Sequence, residues 1–145
     1  MECCEMTKPF SQELFDHNDK KGCEAVKAFV RNEWNAEAHD FFEYDIDLIV
    51  KRDNRWVGFI EVEVRHWLTS ECPHKTIHIA ARKKKLLENE MPTVMFVVSS
   101  SYEHGYYCTA EDVLGSPLVE VKNKYVEGGE YFYDVPIEKF VLVNL

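Results

Sequence analysis

The chain has 145 residues, 46% hydrophobic and 13% aromatic, which is enough to bury a core in one domain and too apolar for a disordered segment. Its 17 Lys and Arg against 26 Asp and Glu leave a net charge of −9. That balance weighs against broad nonspecific attachment to nucleic acid, which needs a basic footprint, but it leaves room for a local basic groove or a metal-bridged contact with phosphate.

Residues 1–10 read as a loose lead-in. From about Ser11 to Ala38 the pattern is helical, with Ala25, Val26, Phe29, Val30 and Trp34 at three- and four-residue spacing. Gly22 is placed to interrupt it, giving a short helix before a longer one from Cys23 to about Ala36. Two strands are predicted near 44–51 and 55–65, where β-branched and aromatic residues alternate with charged ones. The polar joint Arg52-Asp53-Asn54 makes them an antiparallel hairpin. His66 to His74, with Pro73 inside, reads as a loop, and Lys75 to Asn89 as a helix carrying the basic turn Arg82-Lys83-Lys84-Lys85.

The nearly continuous apolar run Thr93 to Val98 is expected to be a central strand buried on both faces. Tyr106 to Thr109 predicts another strand, and Ala110 to Leu114 a helical turn before Gly115-Ser116-Pro117. The tail predicts strands at 118–122, 130–135 and 139–144, with Gly128-Gly129 as a turn. The order of these parts predicts a single α/β domain over 1–145, with a mixed sheet, helices on its faces and extra C-terminal β strands.

No apolar run is long enough to cross a bilayer, and Met1-Glu2-Cys3-Cys4-Glu5 has neither the basic flank nor the apolar segment of a secretory leader. Five cysteines, Cys3, Cys4, Cys23, Cys72 and Cys108, lack framework spacing and read as reduced thiols. Together these features predict a cytoplasmic protein without membrane attachment.

The chemistry-bearing residues lie on the predicted hairpin. Side chains two apart on a strand share a face, so Asp45 and Asp47 share one, and Glu61, Glu63 and Arg65 share another. If the two strands pair, several carboxylates converge beside one cation, a cluster that a divalent metal or a proton would relieve.

The ordered set resembles the PD-(D/E)XK nuclease superfamily, the restriction-endonuclease and Holliday-junction-resolvase-like fold. Asp47 before Leu48-Ile49-Val50 resembles the motif aspartate; Glu63-Val64-Arg65 or Glu61-Val62-Glu63 resembles the (D/E)-x-K element. Glu24 resembles the acidic residue on the first helix, and Ile77 to Lys83 the segment opening the next helix, where some members carry a basic residue. The likeness covers roughly residues 20–100. No proline precedes Asp47, and the frame with Glu63 as the acid places Arg65 where lysine is expected.

The resemblance implies an αβββαβ-type core and a Mg²⁺- or Mn²⁺-dependent endonuclease, a hydrolase acting on DNA. It implies Asp47, Glu61 and Glu63 as metal ligands, with Arg65, Arg82 and Lys83 toward substrate phosphate. Asp47, Glu61, Glu63, Arg65 and Lys83 form the catalytic set, with Glu24 as an outlying candidate for metal or water. Arg65 stays protonated at any working pH, so it can clamp phosphate but cannot act as a general base. DNA is the implied partner, and a homodimer is consistent with cutting two strands.

Two other readings attach to the same residues. A nuclease-like fold without activity, serving as a binding or structural module, accounts for the missing lysine and the acidic charge. Cys72, His74 and His78 also have a C-x-H-x3-H spacing that could bind zinc. Trp56 and Trp67 read as packing residues rather than base-stacking platforms, and His66 as a loop histidine.

Overall fold

A computed structural model describes residues 12–41, 46–67, 72–123 and 126–145. Helix α1, Gln12–Glu33, lays Cys23, Val26, Phe29 and Val30 against the main sheet, where Leu48, Val50, Ile60, Val62, Phe96 and Val98 are buried. Gly22 does not interrupt it. A Cβ there would stand 2.7 Å from Cγ2 of Val64, so the missing side chain lets the helix settle close to the sheet.

The helix also ends earlier than its periodicity predicts. Asn35, at φ +51°, turns the chain into a short strand β1, Glu37–Asp40. Strand β2, Leu48–Arg52, is shorter than the predicted 44–51; Asp47 precedes it, and Tyr44 and Asp45 lie outside the described residues. Strand β3, Arg55–Arg65, follows through Asp53-Asn54. Those two residues have φ of +50° and +64°, the two left-handed centres of a tight hairpin turn, which Asp and Asn tolerate.

The segment predicted as a helix from Lys75 to Asn89 is mostly something else. Thr76–Ala80 is strand β4, followed by a 3-10 turn at Ala81–Lys83 and one turn of helix α2, Lys84–Leu87. Ile77 and Ile79 are both buried and two apart, a strand period. Strand β5, Thr93–Ser99, is buried along nearly all its length, as its apolar run predicts. Then come β6, His104–Thr109, and α3, Ala110–Leu114, whose start is closed by a reciprocal Thr109–Asp112 capping box.

The tail forms β7, Leu118–Asn123, and β8, Val126–Pro136. Gly128-Gly129 lies inside β8 and is not the turn; the strands close at Asn123 and Val126. A 3-10 turn, Ile137–Lys139, leads to β9, Val141–Asn144.

The main sheet is mixed and runs β1-β2-β3-β5-β6-β9, with β3 and β5 parallel and the other neighbours antiparallel. A second sheet runs β4-β8-β7. The protein is therefore α/β with a mixed sheet and few helices, but its faces differ from the expected helical cover. Helix α1 covers one face. The other is closed by the small sheet and α3, where Ile77, Ile79, Tyr133, Val135 and Val113 pack with Met95 and Val97. Among the described residues no helix is long and apolar enough to cross a membrane.

Candidate active site

Strands β2 and β3 stay paired only as far as Leu48 and Ile60. Beyond that point a side chain takes the place of β2 along this edge of β3: Oδ2 of Asp47 accepts a hydrogen bond from the Val62 N–H at 2.8 Å. Asp47 thus sits at the fork between the two strands. Ile60 and Val62 point under α1, so alternation puts Glu61, Glu63 and Arg65 on the opposite face, toward the small sheet.

Glu61 is 4% exposed. Its Oε2 accepts from Nζ of Lys83 at 2.6 Å, an ammonium delivered across the interface by the 3-10 turn after β4. Its Oε1 is buried and has no hydrogen-bond partner among the described residues. Burial alone would push the Lys83 ammonium toward its neutral form, but the charges of Glu63, Glu61 and Asp47 outweigh burial and hold its pKa above the ordinary lysine value. Lys83 is a fixed cation among three acids.

Glu63 and Arg65 are bound to each other. Nε and Nη2 of Arg65 donate to Oε2 of Glu63 at 3.0 and 2.7 Å, and Nη2 also donates to the carbonyl of His78 on β4. Burial raises the Glu63 carboxyl pKa, yet the charges of Arg65 and Lys83 and the Arg65 hydrogen bonds bring it below the ordinary value. Behind this pair, Nε2 of His78 lies 3.0 Å from Oδ1 of Asp134, and its ring stacks on Phe132.

The structure therefore groups the sequence candidates into two sets. Lys83 and Glu61 form one pair, with Asp47 on the neighbouring Val62 N–H and near enough for its charge to act on Lys83; Glu63 and Arg65 form an adjoining ion pair, with Arg65 anchored to the β4 backbone. Arg82, next to Lys83 in sequence, points outward to Glu130 at 3.2 Å. Glu24 is held by Lys27 at 2.9 Å, and Lys27 also bridges to Asp40 on β1. The helix carrying Glu24 covers the sheet face away from Glu61.

Cys72, His74 and His78 do not converge: the Cys72 thiol turns to the His74 carbonyl, while His78 turns to Asp134. Among the described residues no three His, Cys, Asp or Glu are grouped so as to hold a metal ion. Trp67 packs in the core against Tyr106, His66 is exposed, and Trp56 is 53% exposed. The sequence reading missed the hydrogen bond from Arg65 to the His78 carbonyl, which exists only because Thr76–Ala80 is strand β4 and pairs with β8.

A scan of family models, a search of curated proteins and a search of solved structures each returned no match to this chain.

Proposed function

We propose that the protein is a Mg²⁺- or Mn²⁺-dependent nuclease of the PD-(D/E)XK, restriction-endonuclease-like type, hydrolysing DNA phosphodiester bonds. The succession α1, β1, β2, β3, short helix α2 and β5, with β3 parallel to β5 and with β4, which joins the second sheet, inserted between β3 and α2, supports that fold assignment. The observation that carries the functional reading is Glu61: a buried carboxylate with one oxygen on Lys83 and the other without a partner among the described residues, on the strand whose Val62 N–H binds Asp47.

The donor set fits a small hard cation. Mg²⁺ takes one or two carboxylates and fills its remaining positions with water and substrate phosphate, so a group of three protein ligands is not required. Asp47 and Glu61 would hold the ion, with Glu63 as the neighbouring carboxylate. When bound, the ion supplies a polarised water and offsets charge on the phosphate.

The side chains do the rest. Lys83, kept protonated by the surrounding acids, donates to a phosphate oxygen or orients the attacking water; it does not accept a proton. It takes the place that lysine holds in the strand motif, arriving from the 3-10 turn instead. Arg65, tied to Glu63 and the His78 carbonyl, presents a fixed positive charge. Glu61 and Lys83, rather than Glu63 and Arg65, are thus the central acid and cation.

The test is cleavage of plasmid and branched DNA with Mg²⁺ or Mn²⁺. Asp47→Asn and Lys83→Met are expected to lose about 10²-fold or more in rate. Undiminished metal-dependent cutting by Asp47→Asn rejects the assignment.

The same Glu61–Lys83 contact favours a second reading, a nuclease-like fold kept as a binding module, because an ion pair also makes a buried acid tolerable without metal. Calorimetric titration with Mn²⁺ separates the two. Binding that depends on Asp47 favours the enzyme, and no heat at millimolar metal favours the module.

A further inference from the structure

The outer end of the β2–β3 hairpin carries an aromatic residue that neither core uses. Trp56 is 53% exposed, whereas Trp67 is buried. Lys51, its cross-strand partner, holds Nζ 5.2 Å from the Trp56 ring centre, and His39 on β1 meets the ring edge-on at 5.9 Å.

The register decides which way this cluster faces. Val50 pairs with Gly58 but Lys51 pairs with Trp56, so Val57 is an extra residue in β3 and the strand bulges there. The bulge brings Trp56 to the side of Lys51. On β2, Leu48 and Val50 point under α1, so Ile49 and Lys51 point the other way. That is the face carrying Glu61. Lys51 is four residues beyond Asp47, about 13 Å along the strand at ~3.3 Å per residue. That distance is about four base steps of a duplex.

The platform is firmly set. Asp53-Asn54 closes the hairpin tightly, and Nη2 of Arg52 donates to the Trp34 carbonyl at the end of α1 at 2.8 Å. Glu37, paired opposite Lys51, is drawn to His39 at 3.3 Å. An exposed tryptophan with a lysine over its ring, in a chain of net charge −9, is complementary to a polyanion that also offers flat rings to stack on.

Resting on the nuclease reading above, we infer that the hairpin end is a DNA-gripping platform. Trp56 stacks on a base or sugar of the strand leaving the candidate site, and Lys51 neutralises its phosphates. This fixes the direction of the substrate across the protein, along β2 from the fork toward the turn.

The experiment measures binding of the full chain, in EDTA, to fluorescein-labelled single-stranded and duplex 30-mers across a salt series. Trp56→Ala is expected to raise Kd about tenfold or more, and Trp56→Phe to lose less because a ring remains. Lys51→Ala should reduce the slope of log K against log salt by about 1. Thermal melts confirm that each variant is folded. Absence of binding by the unaltered protein at low salt, or a folded Trp56→Ala that binds as tightly as the parent, overturns the inference. Cleavage is scored separately. Trp56-dependent binding without any cutting keeps the platform and removes the nuclease reading, whereas Asp47-dependent cutting with DNA binding indifferent to Trp56 does the reverse.

Discussion

Nζ of Lys83 lies 2.6 Å from Oε2 of Glu61, and the two side chains are only 13% and 5% exposed. Each charge is tolerable there because of the other. Removing one partner strands the survivor, so Lys83→Met should destabilise the protein by about 2–4 kcal/mol, and adding Glu61→Gln should recover most of that loss. Urea denaturation of the single and double variants measures it. Equal midpoints for the parent and Lys83→Met would mean the pair contributes nothing.

Asp47 has a structural duty separable from chemistry. Its Oδ2 accepts the Val62 N–H where β2 no longer does. Asp47→Asn keeps an acceptor oxygen and should stay near parental stability, while Asp47→Ala should lose about 1–3 kcal/mol by leaving the N–H unpaired. On the proposed nuclease reading both should also lose metal affinity, because a neutral amide is a poor ligand for a hard cation and a methyl group is none. Stability and Mn²⁺ titration on the two variants separate the roles.

The ion pairs set the pH limits of stability. The Glu63 carboxyl is depressed below its ordinary 4.5, so its contribution is complete above that value and fades as pH falls through the lower folded pKa. Lys83 is raised above its ordinary 10.5, so its contribution is complete below that value and fades as pH rises through the higher folded pKa. A plot of unfolding free energy against pH should show an acid limb below about 4.5 that Glu63→Gln flattens, and an alkaline limb above about 10.5 that Lys83→Met flattens.

Cys108 is buried on β6, and burial, with the nearby Asp112 charge, pushes its thiol pKa up to about 12. Cys72 is only half-buried, its thiol raised less far. In a Cys3→Ser/Cys4→Ser variant at pH 8, a thiol reagent should modify Cys72 first and reach Cys108 only when denaturant opens the core. Peptide mapping at intervals gives the order, and early labelling of Cys108 would contradict the packing of β6.

Gly58 fixes how closely the hairpin approaches the loop before β5. A Cβ there would fall 2.6 Å from the backbone oxygen of Pro92, and the neighbouring Phe59 N–H donates to that oxygen at 2.9 Å. Backbone cannot rotate away as a side-chain tip can. Gly58→Ala should therefore cost about 1–3 kcal/mol, read as a lower urea midpoint with an unchanged slope.

Several parts were legible because their signals are local. The apolar spacing of Val26, Phe29 and Val30 specifies the buried face of α1, the pair Asp53-Asn54 specifies a tight hairpin, and the run Thr93 to Val98 specifies a central strand. Each needs only the geometry of a few consecutive residues. The strand alternation likewise puts Glu61, Glu63 and Arg65 on one face before any packing is known. The α/β class follows from the order of such segments.

Other features had no local signal to read. Thr76-Ile77-His78-Ile79-Ala80 suits a helix or a strand, and it becomes β4 because β8 offers an edge that takes its hydrogen bonds. Glu37-Ala38-His39-Asp40 has no strand pattern and becomes β1 only by pairing with β2. That same β4 carries the turn that brings Lys83 to Glu61, 22 residues away, and places the His78 carbonyl on Arg65. Alternation could name the acids sharing a face, but which cation meets which acid depends on how the two sheets pack. That is a contact between distant segments, settled by burial and strand pairing and invisible in any short stretch of the chain.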